Sequence, residues 1–432
     1  MLSLEFIPGW TVSLTLALII GLLIGLEQDN PPHAGSRQFS GMNTLPLISM
    51  GGFMTLHWWP NQPVFLLGLG ILGLLITAVF VRNSMSRGTT GITQEISILL
   101  CWLLGGIIAT GEWIAPLVIA VVTTLVLGTR AGIKGDAGKT ANDMTILGKF
   151  VLLAIVAYLV LPNQEFTQLN INPRQILSMM LLVSGIACLG YFGMQAAGQR
   201  RHLMLTALFG GLISSTAITL ALSRLSVVRP ELSASIATSI IAASTVMFLR
   251  LLIEIAIVQP ALLPITTVLF LPTMLTGAWL TWRNYFNMAR TTPPTSHANN
   301  VDVPFSNPLD LPTVLQFGAL YGLLFALVQL SFSHSGAMGV YALSLVAGIV
   351  SVDAVTLSMA QLHATASGGI PAAVVVLGIT LAAVGNLLVK FGMVWGLANR
   401  TTATPASAGL GAIIAVATVS VGAILLLAWR AL

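Results

Sequence analysis

The sequence predicts an all-α polytopic transmembrane helix bundle of 12–14 membrane segments, with an internal repeat in its C-terminal part. Three observations carry that prediction. Hydrophobic residues make up 56% of the 432 residues and charged residues 7%, where a soluble domain carries about 25% charge. Apolar runs of the length needed to span a bilayer, about 20 residues, follow one another along the chain. The apolarity within each run is continuous, which suits helices, whereas barrel strands would alternate with period two.

The segments are expected at 9–27, 41–59, 63–82, 91–110, 113–130, 146–161, 174–194, 202–224, 231–258, 260–282, 311–332, 336–361, 370–396 and 406–430. Trp10, Trp58, Trp59, Trp113, Trp279, Trp282, Trp395 and Trp429 fall at segment ends, where an amphipathic ring prefers the headgroup level. Trp102 falls mid-segment. The stretch before the first segment holds Glu5 and no Lys or Arg. A secretory signal begins with a basic region, so this segment is read as a retained span. The net charge is +5, but the basic residues sit singly or in small groups between apolar runs. That is the pattern of orienting loop charges, and no nucleic-acid partner is expected. Cys101 and Cys188 both lie within apolar runs, so neither a disulfide framework nor a metal knuckle is expected.

Two polar stretches interrupt the runs, 130–145 and 283–310. The second reads as a linker between two related copies. Gly211 to Leu225 (GLISSTAITLALSRL) and Gly348 to Leu362 (GIVSVDAVTLSMAQL) align at an offset of 137 residues. Ala242, Ala243 and Arg250 then align with Ala382, Ala383 and Lys390 at an offset of 140. The expected organisation is an N-terminal membrane domain at 1–161, repeat copies at 174–282 and 311–432, and the linker at 283–310.

Topology has two readings. With fourteen crossings and the N-terminus outside, the inner loops hold nine basic residues and the outer loops six, and the second half breaks the positive-inside rule. If 202–224 and 336–361 are re-entrant hairpins turning near Gly210-Gly211 and Gly348, the count becomes thirteen inside and two outside. The copies would then be inverted, a plan that places transporter sites at the midplane.

Asp353 is the sharpest candidate for chemistry. It lies inside an otherwise uncharged run from Gly336 to Leu362, where a carboxylate costs several kcal/mol and needs a cavity or a partner. Thr356 shares its helical face and Ser351 lies just upstream. In the first copy Thr216 takes the place of Asp353, with Thr219 on the same face. Oxygen-rich faces of this kind suit a hard cation or a proton relay. The competing structural reading is that Asp353 caps a broken helix or pairs with Lys390. Arg250 and Glu254, four apart, read as an intrahelical pair that lets both charges enter the membrane. Lys390 has no such acid and needs Asp353 or Asn386. Glu27 and Glu95 are further candidates, as entrance acids or as interfacial ones. The chain has no HExxH, no GxSxG in context and no phosphate loop, so neither an enzyme nor a cofactor is expected.

GLLIGLE at Gly21 to Glu27, followed by a polar loop and a second Gly-rich span, resembles the MgtC/SapB-type membrane proteins. The later motifs resemble the long branch of that family, which carries a C-terminal membrane domain of unknown function. They are Asn172-Pro173-Arg174, Gly190-Tyr191, Ser214 to Ala217, and Asp353 to Ser358. Gln28 and Asp29 depart from the basic residues that the family pattern places after Glu27, and Asn43 stands where it places Arg before Thr44. The resemblance implies a role in cation homeostasis.

The expectation is therefore an inner (plasma) membrane transporter or permease for a small ion, with a divalent cation such as magnesium as one substrate. Asp353 would be its central ligand or proton acceptor. The alternative is a non-transporting regulator of another membrane-protein complex, for which Gly21/Gly25-type small faces suit close packing. Expected partners are the lipid bilayer, the ion, and a second copy or another membrane protein.

Overall fold

A computed structural model of the chain describes residues 9–28, 43–60, 62–87, 93–133, 143–166, 171–196, 203–291, 311–364 and 369–430. Most of the polar stretch 130–145, and 292–310 of the expected linker, lie outside the described residues. Those described are almost wholly helical, as continuous apolarity requires once backbone groups must be satisfied within each segment. Nine of the described helices are long and apolar enough to cross a membrane. The chain divides into two compact units, Met1–Pro162 and Asn163–Leu432.

The first unit holds α1 (Gly9–Gln28), α2 (Leu45–Trp58), α3 (Gln62–Arg87), α4 (Thr93–Ala109), α5 (Ile114–Ile133) and α6 (Asp143–Val160). Its centre is a close-packed trio. Gly21 of α1 lies on the backbone of Pro46 in α2, Gly52 of α2 on the Trp102 carbonyl of α4, and Gly105 of α4 on the Ser49 carbonyl. Small residues let backbones meet in this way, and in lipid such contacts replace the hydrophobic drive. Trp102 is no interfacial anchor. Its ring stacks on Phe65 at 5.8 Å and covers Gly51 and Gly68.

The second unit holds α7 (Pro173–Ala196), α8 (Leu203–Val228), α9 (Ser233–Val258), α10 (Leu263–Thr291), α11 (Leu311–Val350), α12 (Val352–Ala364), α13 (Ala372–Leu397) and α14 (Arg400–Arg430). Single 3-10 turns opened by Pro230 and Pro260 join α8 to α9 and α9 to α10. One continuous core runs through it, including Ile240, Phe248, Phe270, Tyr321, Val355 and Ile379. The helix α10 continues to Thr291, past the expected start of the linker at 283. There Trp282 packs on Phe286 at 4.4 Å and Arg283 lies over the Trp279 ring at 5.0 Å, so an aromatic face sustains the helix.

The stretch 311–350, expected as parts of two segments, turns sharply at Gly336, whose φ of 60° and ψ of −149° only glycine adopts readily. Gly339 consequently packs on Ser331, eight residues earlier, which continuous helix would hold about 12 Å away.

Candidate functional site at two broken helices

Two serines interrupt the helices of the second unit. Ser214 leaves helical geometry inside α8, with φ −161° and ψ 104°, and its Oγ accepts the Ala217 N–H at 3.2 Å. Ser351 separates α11 from α12, and its Oγ accepts the Ala354 N–H at 3.2 Å. Each satisfies an orphan donor of the helix that restarts. Asp353 then falls in the first turn of α12, where the helix dipole favours negative charge.

At Ser351 the chain folds back. Ser344 Oγ and Met359 Sδ lie 3.9 Å apart, whereas fifteen residues of continuous helix would hold their positions about 22 Å apart. The arm α12 has 13 residues, about 20 Å, too short for a hydrocarbon core of about 30 Å. This is the hairpin geometry for 336–361, with the turn at Ser351 rather than Gly348. Gly348 instead lies against the backbone of Ala382 in α13. Gly211, also expected near a turn, likewise lies against Ala243 of α9, with space for a Cβ only 3.1 Å from its backbone. Close approach, not chain reversal, is what these glycines supply.

The charged residues meet at the breaks. Arg250 of α9 donates through Nε to Glu254 Oε1 at 3.1 Å and through Nη2 to Asp353 Oδ2 at 3.1 Å. Its Nη1 donates to the carbonyls of Leu212 and Ile213 at 2.9 and 2.8 Å. Those carbonyls end the first arm of α8, where a helix carries its partial negative charge. The intrahelical pair expected of Arg250 and Glu254 is present, and the same guanidinium also links two broken helices. The Asp353 side chain is 21% exposed, while Arg250 is 5% and Glu254 is 0% exposed. Asp353 is thus the accessible member of the cluster.

Lys390 of α13 is fully buried. It does not pair with Asp353. Its Nζ donates to Ser215 Oγ at 2.8 Å and touches Met247 Sδ at 3.2 Å. Asp353 goes to Arg250 because the five-donor guanidinium reaches the carboxylate and the helix-end carbonyls together. Asn386, one turn before Lys390, donates through Nδ2 to Gly348 O at 3.3 Å and Thr216 Oγ1 at 3.4 Å. Its Oδ1 is buried without a hydrogen-bond partner among the described residues.

Of the remaining candidates, Thr219 donates to its own helix at Ser215 O, 2.7 Å away. Thr356 is fully buried and its hydroxyl has no hydrogen-bond partner among the described residues. Asp353, Ser351, Thr216, Arg250, Glu254 and Lys390 are therefore brought together. Thr356 lies one turn into α12 and Thr219 one turn into the second arm of α8. Glu95 belongs to the first unit, in the opening turn of α4, with Oε2 buried and without a hydrogen-bond partner among the described residues. Glu27 also belongs to the first unit, at the end of α1, and its side chain lies outside the described residues. Of the two residues that hold Lys390, Ser215 lies in the Ser214 to Ala217 motif and Met247 had no prominence in the sequence. The helix restart did have a signal, since Ser351-Val352-Asp353 reads as a cap followed by an acidic first turn.

Residues 181–398 match the family model described as a domain of unknown function (DUF4010), and residues 14–135 match that of the MgtC family. The whole charged cluster lies within the first of these ranges. An uncharacterized protein of Aquifex aeolicus (strain VF5) is 34% identical over 190 residues, covering 44% of this chain and 80% of that protein. No solved structure matches the chain.

Proposed function

The chain belongs to the MgtC family and to that of the DUF4010 domain, as a multi-pass membrane protein, and from that premise we propose that it is a transporter for a small ion. The substrate path runs past the two broken helices of the second unit. The observation that carries the reading is Asp353, a partly accessible carboxylate on a charge cluster at the turn of a helical hairpin. Discontinuous helices of this kind present unsatisfied backbone ends to ions at the membrane midplane in transporters. An intramembrane acid with a named partner is a functional site by default.

Asp353 binds the ion or its proton, and Arg250 compensates the carboxylate when the ion is absent. The inner membrane is the proposed location, with the N-terminus outside. The test is ion flux into proteoliposomes across a panel of monovalent and divalent cations, comparing wild type with Asp353→Asn. Flux that the substitution abolishes in a folded protein is the expected result. Flux untouched by it would remove Asp353 from the path.

A second reading, a regulator that binds another membrane protein, draws on α3. None of its span from Gln62 to Val81 is buried, and a Cβ on Gly70 or Gly73 would meet nothing within 4 Å. That open small-residue surface suits a partner helix. Its test is co-purification of a membrane partner that is lost when Gly70 and Gly73 are both replaced by Leu.

A further inference from the structure

The breaks at Ser214 and Ser351 share a serine cap but differ at the carbonyl end that precedes it. Arg250 fills the carbonyl end of the first, at Leu212 and Ile213. The positions 137 residues on are Ile349 and Val350, at the carbonyl end of α11. Among the described residues no hydrogen bond reaches either carbonyl. Lys390 aligns with Arg250 in sequence but turns away to Ser215 and Met247. Among the described residues, the carbonyl end of the first break therefore carries a cation and that of the second carries none.

Oxygen-bearing side chains come close to this end of the helix. Asn386 Nδ2 holds the neighbouring Gly348 carbonyl at 3.3 Å, which brings its amide to the same end of the helix. Asn386 is 3% exposed and its Oδ1 has no hydrogen-bond partner among the described residues. Leaving such a buried acceptor dry is unfavourable unless something binds it. Thr216 Oγ1 lies 3.4 Å from the Asn386 nitrogen. Asp353 follows Val350 by three residues and uses Oδ2 for Arg250.

We infer that the carbonyl end of α11, with Asn386 Oδ1 and Asp353, is a binding site for a monovalent alkali cation of sodium size. The inference rests on the transport reading and names the ion that its site takes. Carbonyl, amide and carboxylate oxygens are the ligands of hard cations, and unwound carbonyl ends coordinate sodium in transporters. The valence follows from the charges. Arg250 and Lys390 already balance Glu254 and Asp353. A single added positive charge is opposed by the helix end, worth about half an elementary charge. A divalent ion would leave more than one charge uncompensated. Among the described residues no group of three or more His, Cys, Asp or Glu side chains is placed to hold a metal.

The experiment is equilibrium binding of radioactive sodium to the full chain in lipid nanodiscs, which reads the site without requiring transport. The expected result is saturable binding, displaced by unlabelled sodium but not by magnesium at equal concentration. Binding should weaken about tenfold or more in Asn386→Ala and in Asp353→Asn. If either variant fails to fold, Thr216→Val, which alters only the neighbour of Asn386, should show a smaller loss in the same direction. Three results would overturn the inference: no saturable binding of sodium, potassium or lithium, binding undiminished in the folded variants, or equal displacement by magnesium. Absence of binding alongside measurable flux of another ion would leave the transport reading standing and remove only this site.

Discussion

Ser214 and Ser351, 137 residues apart, perform the same operation on the chain. Each breaks a helix, and each turns its hydroxyl oxygen to the N–H three residues on, at 3.2 Å in both cases. Two cations from neighbouring long helices gather at the first of these breaks. Arg250 lies at the end of the arm before Ser214, and Lys390 bonds Ser215.

Replacing either serine by alanine removes a cap and should cost about 1 kcal/mol of stability. Unfolding of the detergent-solubilised protein measures it. Ser351→Asn, which keeps an accepting oxygen, should recover most of the loss. An asparagine variant no better than alanine would deny the capping role.

Arg250→Met leaves Glu254 and Asp353 without their shared guanidinium and should destabilise the protein by about 3–5 kcal/mol. Asp353→Asn should cost clearly less, because this carboxylate is the partly exposed member and Arg250 keeps Glu254 and two carbonyls. The reverse order of losses would mean that the cluster is organised around Asp353 instead.

The two matched glycines should differ in tolerance. A Cβ at Gly348 would run into the Ala382 backbone, whereas one at Gly211 would stand 3.1 Å from Ala243. Gly348→Ala is therefore expected to cost about 1–3 kcal/mol as an overpacked contact, and Gly211→Ala less. Equal tolerance at both positions would show that α11 and α13 are free to separate.

Topology at the α8–α9 connection is open to cysteine labelling. Ser226 is a poor probe, since it is fully buried and its Oγ accepts the Asn399 N–H at 2.9 Å. Val228 is 76% exposed, and the native Cys101 and Cys188 are both buried. The hairpin arrangement predicts that Val228→Cys reacts with an impermeant maleimide from the cytoplasmic face only. Reaction from the outer face only would restore a full crossing for 202–224.

Helix content was legible because it follows from composition and run length, and Arg250 with Glu254 because their spacing is local. The fold-back at Ser351 was harder to see. Apolarity records depth in the membrane but not direction, so an unbroken run from Gly336 to Leu362 reads as one crossing. Gly348 drew attention as a turn, yet its missing side chain serves contact with Ala382. The partner of Lys390 was not legible at all. Ser215 lies 175 residues away and Met247 lies 143 away, and no local pattern encodes such pairings.

The double engagement of Arg250 has a consequence for the order in which the protein is made. Asp353 leaves the ribosome 103 residues after Arg250, a delay of about 5–20 s at ordinary synthesis rates. Through that interval the guanidinium must enter lipid without its later partner. Glu254 emerges only four residues behind it, in the same helix, and acts as an escort until Asp353 arrives. Glu254→Gln should therefore depress the yield of inserted protein more than the melting temperature of what is recovered, whereas parallel losses would reduce Glu254 to an ordinary structural pair. Lys390, nearly the last charge to be synthesised, needs no escort, because Ser215 and Met247 are already in the membrane to receive it.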